Sequence, residues 1–582
     1  MPGHRTYLPL LTGLILLAAV FASPKAVGAQ PELRSVKIEG NRYFSQRKII
    51  AWSGLKVGKP LTEENLHKAA DNILRKLASE GFYFCRIDSI NREINDDSTF
   101  VAVTFYLQEG ERLILRDLKL SGDTTGINDD LMLLSQPEKP VFSSRLESDF
   151  WDILGAKEES GYPFARLDVK GLNLENDSLT VEARLTSGPV AYLESVRIIG
   201  LKSTKPQVVA REARIVPGEI YRPSRLEKAW QRIRKLPYIE EVSAPALIPL
   251  GSDRYDVLFQ AKEARSNSFD GVVGYQPAGD EEEGQITGLL DLSFLNLFGT
   301  GRKAKVHWER SSQYRQALEL FYEEPWVAGF PINLWGEFRQ EIQDSLYLQR
   351  RIAIGATWPA LDVLSIKGSL FQEEVLPDSA GREYLGLYRS RARGGGVEVE
   401  YDTRDYPDNP TRGIYYRSAV AWSQKDYESS ANLPDADVRH YETDANWSHP
   451  IIGRQILNLQ VHGRFLTSDE EPISQPDLYR MGGTRSLRGY REDQFFGHFV
   501  GWSSVEYRLW LDKVSRIYAF FNLGYYEFDP PSGGDTEKKW PWGYGVGFRQ
   551  GTRLGILGFD FALGQDDVLS TAKVHFRLIN RF

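Results

Sequence analysis

Cysteine, methionine and histidine are all scarce in this 582-residue chain, which contains one cysteine, three methionines and eight histidines. A single cysteine, Cys85, excludes an internal disulfide and a cysteine-based zinc cluster, and its aromatic neighbours predict a buried structural thiol. The sequence contains no His-Glu-x-x-His segment, no Gly-x-Ser-x-Gly segment and no phosphate-binding loop ending in Lys-Ser or Lys-Thr. We therefore expect a protein that is not an enzyme and that binds no metal or other cofactor.

Long apolar runs are equally rare. After Phe21 no apolar stretch approaches the length of a membrane-spanning helix, and the net charge of −8 argues against a nucleic-acid partner. Residues 1–29 combine early basic residues, an apolar run from Leu8 to Phe21 and small residues before Gln30, which predicts a cleaved secretory signal peptide. An uncleaved anchor is the alternative. The aromatic content of 12% and the 51 glycines are typical of a β-rich exported protein.

The first half of the chain repeats itself with a period of about 80 residues. Leu66, Leu146 and Leu226 occupy the same position in three successive copies, each of which reads strand, helix, helix, strand, strand. The copies span 31–110, 111–190 and 191–265. Their closing strands alternate apolar and polar residues, so each copy is expected to pack one face of a sheet under two helices.

The second helix of the later copies is expected to begin with a capping box, at Ser144–Glu147 and at Ser224–Glu227. In the third copy this helix is also basic. Its positive residues form either a solvated face or a contact with anionic headgroups or an acidic partner. They are Arg225, Lys228, Arg232, Arg234 and Lys235.

Residues 266–582 show no helical period and instead contain sixteen candidate strands. The strand 572–582 is representative, because Val574 and Phe576 share one face while Lys573 and His575 share the other. A soluble β-sandwich would also alternate, but the signal peptide, the tryptophans at strand ends and the even strand count favour a membrane barrel. The fold expected is three α+β repeats followed by a C-terminal 16-stranded antiparallel transmembrane β-barrel.

Three ordered motifs in the barrel region resemble those of the bacterial outer-membrane assembly superfamily, whose members join POTRA repeats to such a barrel. They are Asp402-Thr403-Arg404-Asp405 followed by Pro407, Pro410 and Gly413; Leu487-Arg488-Gly489-Tyr490; and Gly545-Val546-Gly547-Phe548-Arg549. The 80-residue repeats resemble POTRA domains in length and element order. Within the superfamily, three repeats look most like the TamA-type subunit of the translocation and assembly module, with the BamA type next.

The strand phase predicts a clamp inside the barrel. If the odd positions of 499–511 face lipid, Glu506 and Arg508 face the lumen, and the same phase in the next strand turns Asn522 inward. A long loop carrying Arg488, Gly489 and Tyr490 then folds back so that Arg488 pairs with Glu506 as its charge partner. The family usually has an aspartate where Asn522 stands, which leaves the arginine one carboxylate. The inward glycines Gly543, Gly545 and Gly547 are expected to leave space for the loop backbone.

The resemblance implies a function in the bacterial outer membrane, with the POTRA repeats in the periplasm. Such proteins insert β-barrel or autotransporter clients through a lateral seam between the first and last strands, here Gly271 and Gly274 against Phe576 and Leu578. Phe582 resembles the C-terminal signal of barrel proteins. The expected partners are unfolded outer-membrane clients, outer-membrane lipid and a periplasmic or inner-membrane assembly partner on the repeats. The alternatives are a two-partner-secretion transporter, which usually has two repeats and a plug helix, and a diffusion porin.

Overall fold

The computed structural model describes residues 30–127, 133–276, 285–310, 316–343, 346–407, 409–431, 433–484, 486–530, 534–552 and 555–581. The chain divides into two compact units, one ending at Val190 and the other beginning at Ala191. The predicted signal peptide and Phe582 lie outside the described residues. No helix in the described part of the chain has the length and apolar content needed to cross a membrane.

The first repeat places two helices over a three-stranded sheet in which β3 is central, parallel to β1 and antiparallel to β2. Phe105 of the central strand and Ile73 of the longer helix are fully buried in its core. Thr62 caps the longer helix, because its hydroxyl accepts a hydrogen bond from the Asn65 backbone amide at 3.0 Å. The elements are β1 (Glu32–Glu39), α1 (Gln46–Ser53), α2 (Glu63–Ser79), β2 (Arg86–Ile94) and β3 (Phe100–Gln108).

The second repeat has the same arrangement of three strands, β4-β7-β6, extended by the short edge strand β5, and its helix has a more polar buried face. Asp149 and Lys157 are fully buried; Lys157 donates to the Thr125 carbonyl at 2.6 Å and lies 3.3 Å from Asp123. The segment where its first helix was predicted includes residues 128–132, which are not described. The elements are β4 (Ile114–Gly122), β5 (Lys139–Pro140), α3 (Ser143–Glu159), β6 (Arg166–Glu175) and β7 (Ser178–Thr186).

The third repeat belongs to the second unit, together with the barrel. It packs two helical segments on a sheet whose central strands, β8 and β12, are parallel. A 3-10 turn, Arg211–Ala213, follows α4. The elements are β8 (Tyr192–Ile199), α4 (Pro206–Ala210), β9 (Glu219–Ile220), α5 (Pro223–Arg234), β10 (Ile239–Val242), β11 (Ala246–Pro249) and β12 (Arg254–Glu263).

Both predicted capping boxes are wrong. The helix α3 begins one residue earlier than the motif, after Phe142, and α5 begins at Pro223 after Arg222; neither Phe142 nor Arg222 makes a side-chain cap. Proline at the first helical position needs no cap partner for its own nitrogen, which explains the start of α5.

The second half of the chain is a closed antiparallel barrel of sixteen principal strands, which confirms the predicted number. A three-residue strand, β28, adds to β27, and two short strands, β24 and β25, pair only with each other. A short helix, α6 (Ser379–Leu385), lies between β19 and β20. The strands are β13 (Ser268–Gln276), β14 (Gln285–Leu297), β15 (Arg302–Arg310), β16 (Gln316–Glu324), β17 (Asn333–Gln343), β18 (Tyr347–Trp358), β19 (Leu364–Pro377), β20 (Ser390–Asp402), β21 (Gly413–Tyr427), β22 (Ala436–Pro450), β23 (Gln455–Ser468), β24 (Tyr479–Met481), β25 (Phe495–Gly497), β26 (Phe499–Trp510), β27 (Arg516–Phe528), β28 (Glu537–Lys539), β29 (Trp542–Thr552), β30 (Gly555–Gly564) and β31 (Lys573–Arg581).

The two faces of the barrel wall follow the predicted phase. On β26, Val505 and Tyr507 are exposed outward, whereas Glu506 and Arg508 are buried inside. On β27, Phe521 is exposed and Asn522 is fully buried. Every second side chain of these strands therefore faces the lumen, where the loop described below contacts its partners.

Candidate functional site: a clamped loop and a short seam

The segment between β23 and β26, residues 469–498, is the loop that carries the Leu-Arg-Gly-Tyr motif. Its two short strands, β24 and β25, form a hairpin-like base, and Met481 and Leu487 are fully buried against Val500 and Tyr526 of the barrel wall. Apolar packing of this kind stabilises a single position of the loop on the wall. The loop tip at Arg488 is thereby delivered to the lumen face of β26 and β27.

Arg488 makes three polar contacts there and also lies close to the ring of Phe520. Its Nη2 atom lies 2.7 Å from Glu506 Oε1, and it donates to Ser504 Oγ at 2.9 Å and to Asn522 Oδ1 at 3.0 Å. The guanidinium carbon lies 3.6 Å from the ring centroid of Phe520. Arg488 itself is only 8% exposed, so these charge-assisted contacts form out of bulk water, where they are strongest.

The structure thus brings together Arg488, Glu506 and Asn522, but it does not leave Glu506 with one partner. Arg508 binds the other carboxylate oxygen of Glu506 through Nε at 2.8 Å and Nη2 at 2.7 Å. Arg508 Nη2 also donates to Asn458 Oδ1 at 2.7 Å. Glu506 is therefore the carboxylate partner of two arginines, Arg488 and Arg508. The alternation correctly predicts that Arg508 faces the lumen, but it does not show that Arg508 pairs with Glu506.

Tyr490 and Gly489 fix the other side of the motif. The Tyr490 hydroxyl donates to the Trp542 carbonyl at 2.9 Å and accepts from the Gln565 amide at 3.1 Å. Gly489 has φ = +97°, a left-handed conformation, and a side chain there would sit 2.7 Å from the backbone nitrogen of Gly564. Only glycine satisfies both the conformation and the close approach.

The three lumen glycines have different neighbours. A side chain on Gly543 would overlap the carbonyl oxygen of Arg488, so this glycine does make space for the loop backbone. At Gly545 the obstacles are the Phe561 carbonyl and the Phe520 ring, and at Gly547 they are the side chains of Asp560 and Tyr518. The expectation that all three accommodate the loop is therefore wrong for Gly545 and Gly547, which instead accommodate the barrel's own wall and lumen side chains.

Two further basic residues hold the base of the loop on other strands. Arg480 of β24 lies 3.1 Å from Glu341 of β17 and donates to the Tyr347 hydroxyl of β18 at 2.8 Å. Lys425 of β21, which is 2% exposed, lies 2.5 Å from Asp477 and 3.0 Å from Glu470 in the loop. The loop is therefore bonded to well-separated parts of the wall. These partners are 45 to 139 residues apart in sequence, and no local pattern indicates them.

The boundary between the first and last strands is the shortest in the barrel. Among the described residues, β13 and β31 pair only at Ser268–Arg581 and Phe269–Asn580. The predicted seam residues lie elsewhere in these two strands: Gly271 and Gly274 pair with β14, and Phe576 and Leu578 pair with β30. The other fifteen boundaries have between seven and thirteen residue pairs each.

The basic helix α5 of the third repeat meets the barrel. Arg232 binds both carboxylate oxygens of Asp362, at 2.5 and 3.2 Å, and Lys235 donates to the Asp362 carbonyl at 3.2 Å. Asp362 lies in the turn between β18 and β19. Nearby, Trp326 Nε1 donates to Glu212 Oε1 at 2.7 Å. Part of the predicted basic face is therefore covered by an acidic residue of the same chain.

The described residues contain no group of three or more histidine, cysteine or carboxylate side chains arranged to hold a metal ion. Cys85 is half-buried rather than buried, and its partial burial raises the pKa of its thiol to about 11. The fold and the site define a class of protein: a sixteen-stranded barrel that follows α+β repeats and carries an arginine-tipped loop clamped in its lumen.

Comparison with known families agrees. The model described as the Omp85 superfamily domain matches residues 296–582, and the POTRA model, described as a surface antigen variable number repeat, matches residues 31–110 and 191–264. The chain therefore carries an Omp85 superfamily domain preceded by POTRA repeats. It is a protein of the outer membrane whose POTRA repeats lie in the periplasm.

Individual relatives are distant. The outer membrane protein assembly factor BamA of Neisseria meningitidis serogroup B is 21% identical over 503 residues, a match that covers 80% of this chain and 62% of that protein, which is less than two thirds of its length. BamA of Nitratidesulfovibrio vulgaris is 21% identical over 597 residues, which cover 92% of this chain and 71% of that protein. The crystal structure of Haemophilus ducreyi BamA lacking POTRA domains 1–3 has a TM-score of 0.51 at 16% identity, covering 81% of this chain and all of that one, and this likeness concerns the fold.

Proposed function

We propose that this protein inserts and folds other β-barrel proteins or autotransporters in the outer membrane, and that it is not an enzyme. The POTRA repeats receive unfolded clients from the periplasm, and the boundary between β13 and β31 opens toward the bilayer so that client strands pair with its edges. The observation that carries this proposal is the two-pair boundary of β13 with β31.

The physical reason lies in the backbone. Peptide groups in hydrocarbon cost several kcal/mol each when they have no hydrogen-bond partner, so an incoming strand needs a template edge. A boundary of two residue pairs opens at a small cost, whereas one of twelve pairs, such as β26–β27, does not. The seam therefore offers unpaired strand edges at the boundary whose strands cost least to separate.

The relatives support the same reading, because the matched proteins are named as outer membrane protein assembly factors. The TamA-type assignment stays a prediction, as does a periplasmic or inner-membrane partner docking on the repeats. The proposed site residues are Arg488, Gly489, Tyr490, Glu506, Asn522 and Gly543 for the clamp, and the ends of β13 and β31 for the seam.

The main alternative is export of a polypeptide through the lumen, as in two-partner secretion. The loop argues against it, because Arg480 binds Glu341 on β17 while Arg488 binds Glu506 on β26. A chain passing through the lumen would have to break ion pairs on separate strands, of which the buried Arg488–Glu506 pair is costly to break. Opening two pairs of the seam leaves all of these contacts in place.

A reconstituted assay tests the proposal. The full-length protein is placed in liposomes, a urea-denatured barrel client is added, and the folded client is measured by heat-modifiable gel mobility. We expect client folding well above that of empty liposomes and of liposomes holding a porin without POTRA repeats. Equal client folding in all three preparations would contradict the proposal.

A further inference from the structure

The turn between β20 and β21, residues 403–412, carries the last three residues of the Asp-Thr-Arg-Asp motif, which begins at Asp402 in β20, and reaches across to a second turn. Asn409 in this turn is 1% exposed. Its Nδ2 atom donates to the carbonyl oxygens of Asp512 at 2.8 Å and Ser515 at 3.2 Å. Its Oδ1 atom accepts a hydrogen bond from Arg516 Nη1 at 3.3 Å. Asp512 and Ser515 belong to the turn that joins β26 to β27.

The motif builds the turn that presents Asn409. Asp405 accepts hydrogen bonds from the backbone amides of Tyr406 at 3.0 Å and Thr411 at 2.9 Å. Arg404 binds Asp402 through Nε and Nη2, at 2.9 and 2.8 Å. Gly413, at φ = +109°, closes the turn where a side chain would lie 2.6 Å from the Thr403 carbonyl. These internal bonds hold the turn in shape without help from the second turn.

The second turn connects the two strands that hold every partner of Arg488. Glu506 and Ser504 lie on β26, and Phe520 and Asn522 lie on β27. Arg516, the first residue of β27, shares the lumen face with Phe520 and Asn522, because they are an even number of positions apart. At about 3.3 Å per residue, the contact between Asn409 and Arg516 lies about 20 Å along β27 from Asn522. The turn is thus the far end of the wall to which the loop is clamped.

The chemistry at position 409 is selective. Two carbonyl acceptors and one guanidinium donor converge on the same side chain, so it has to donate twice and accept once. A primary amide meets all three requirements, whereas a carboxylate offers only acceptors and alanine offers nothing. The Ser515 carbonyl also accepts from the backbone amides of Leu511 and Asp512, so the bond that both replacements remove without a substitute is the one to the Asp512 carbonyl. Losing that donor and the second bond to Ser515 loosens the hold on the turn.

We propose that Asn409 is a positioning residue for the Arg488 clamp: it pins the β26–β27 turn so that Glu506, Ser504 and Asn522 meet the loop tip. The effect on assembly rests on the proposed function, but the effect on the clamp does not. Asn409 itself touches neither the loop nor a client. Its effect on the clamp is transmitted through the wall strands β26 and β27.

The test compares Asn409→Ala and Asn409→Asp with a matched control, Thr403→Val. The Thr403 hydroxyl bonds to Ile414 across its own turn, and so reports on the turn's own fold. All variants carry Cys85→Ser and Ala562→Cys, because Ala562 is fully buried beside Phe520, and a thiol placed there becomes reactive to a water-soluble maleimide when the clamp loosens. Heat-modifiable mobility shows which variants have folded, and client folding in liposomes is measured in parallel.

We expect maleimide labelling at position 562 to rise about fivefold or more in both Asn409 variants and to stay at the parent rate in Thr403→Val, because local opening governs access to a buried thiol. Parent-level labelling in both Asn409 variants would overturn the proposal. Parent-level labelling in Asn409→Asp alone would also overturn it, because the two hydrogen bonds that the Asn409 amide donates would then be unnecessary. If Asn409→Ala does not fold, Asn409→Ser takes its place and is expected to label at an intermediate rate. Raised labelling with undiminished client folding would support the positioning role and contradict the part of the clamp in assembly.

Discussion

Two of the sixteen boundaries between principal strands of the barrel differ sharply in the number of paired residues. The boundary between β26 and β27 has twelve residue pairs, and its lumen face carries the buried partners of Arg488. The boundary between β13 and β31 has two residue pairs in the described part of the chain. A closed barrel therefore need not be uniformly closed: this one concentrates side-chain and backbone bonds on one part of the wall and leaves another part easy to open.

The largest effect is expected from cross-linking β13 to β31, so that this boundary can no longer open more easily than the others. In a Cys85→Ser background, Phe269→Cys with Asn580→Cys joins β13 to β31 through directly opposed residues. Opposed Cα atoms in antiparallel strands are about 4.5–5.5 Å apart, which suits a disulfide. We expect the oxidised protein to lose client folding in liposomes and to recover it on reduction.

A matched pair at an ordinary boundary, Ser418→Cys with Thr443→Cys between β21 and β22, controls for cross-linking as such. It is expected to leave client folding unchanged. If the fully cross-linked seam folds clients at the rate of the reduced protein, lateral opening is wrong and transport through the lumen becomes the better hypothesis.

The next largest effect is expected from Arg488→Ala, which removes the ion pair between the loop and Glu506 on β26. Because Glu506 keeps Arg508, we expect a cost of about 2 kcal/mol rather than the roughly 3–5 kcal/mol of a carboxylate left alone. Complementation of a depletion strain should fall while heat-modifiable mobility shows a folded barrel. Arg488→Lys should retain part of the activity, since it keeps the charge but loses the planar stack on Phe520. Full activity of Arg488→Ala at normal protein levels would show that the loop has no part in the mechanism.

A smaller and more selective change is Gly543→Ala, whose methyl group would overlap the Arg488 carbonyl. Overpacking typically costs about 1–3 kcal/mol, and here it falls on the loop. Gly545→Ala is the comparison, because its methyl group would strike the Phe561 carbonyl of the neighbouring strand. Protease cleavage of the loop should increase in Gly543→Ala, and barrel insertion should decrease in Gly545→Ala. The reverse result would mean that the assignment of the two glycines is wrong.

The smallest effect concerns the contact between the third repeat and the barrel. Burial raises the pKa of Glu212, so its contribution to stability is fully present below the ordinary glutamate pKa and is lost as the pH rises through the raised value. Hydrogen exchange of residues 206–213 should therefore be faster at pH 8 than at pH 4, after correction for intrinsic rates. Glu212→Gln keeps an oxygen for Trp326 Nε1 and should remove this dependence. An unchanged pH profile in Glu212→Gln would assign the effect to another group.

Much of the architecture was predictable because it depends on short-range periodicity. The lumen phase of Glu506 and Asn522 follows from alternation along one strand, and the count of sixteen strands follows from the same pattern repeated. Helix starts were less predictable: Ser144 and Ser224 fit a capping motif, yet Pro223 and the residues before each helix set the actual start. Local signals compete at helix ends, and packing decides between them.

The repeats, the barrel and the side chains that face the lumen could be predicted from the sequence, because a period of two or of 3.6 residues depends only on neighbours along the chain; the family motifs are short contiguous segments. Which lumen residues meet depends on the tertiary structure. Arg480 with Glu341, Arg508 with Glu506 and Asn409 with the Asp512 carbonyl each depend on the strand register and loop path of distant segments. The length of the β13–β31 boundary depends on the tertiary structure in the same way, because hydrogen bonds between the first and last strands of the barrel form only once all the strands between them have closed the wall.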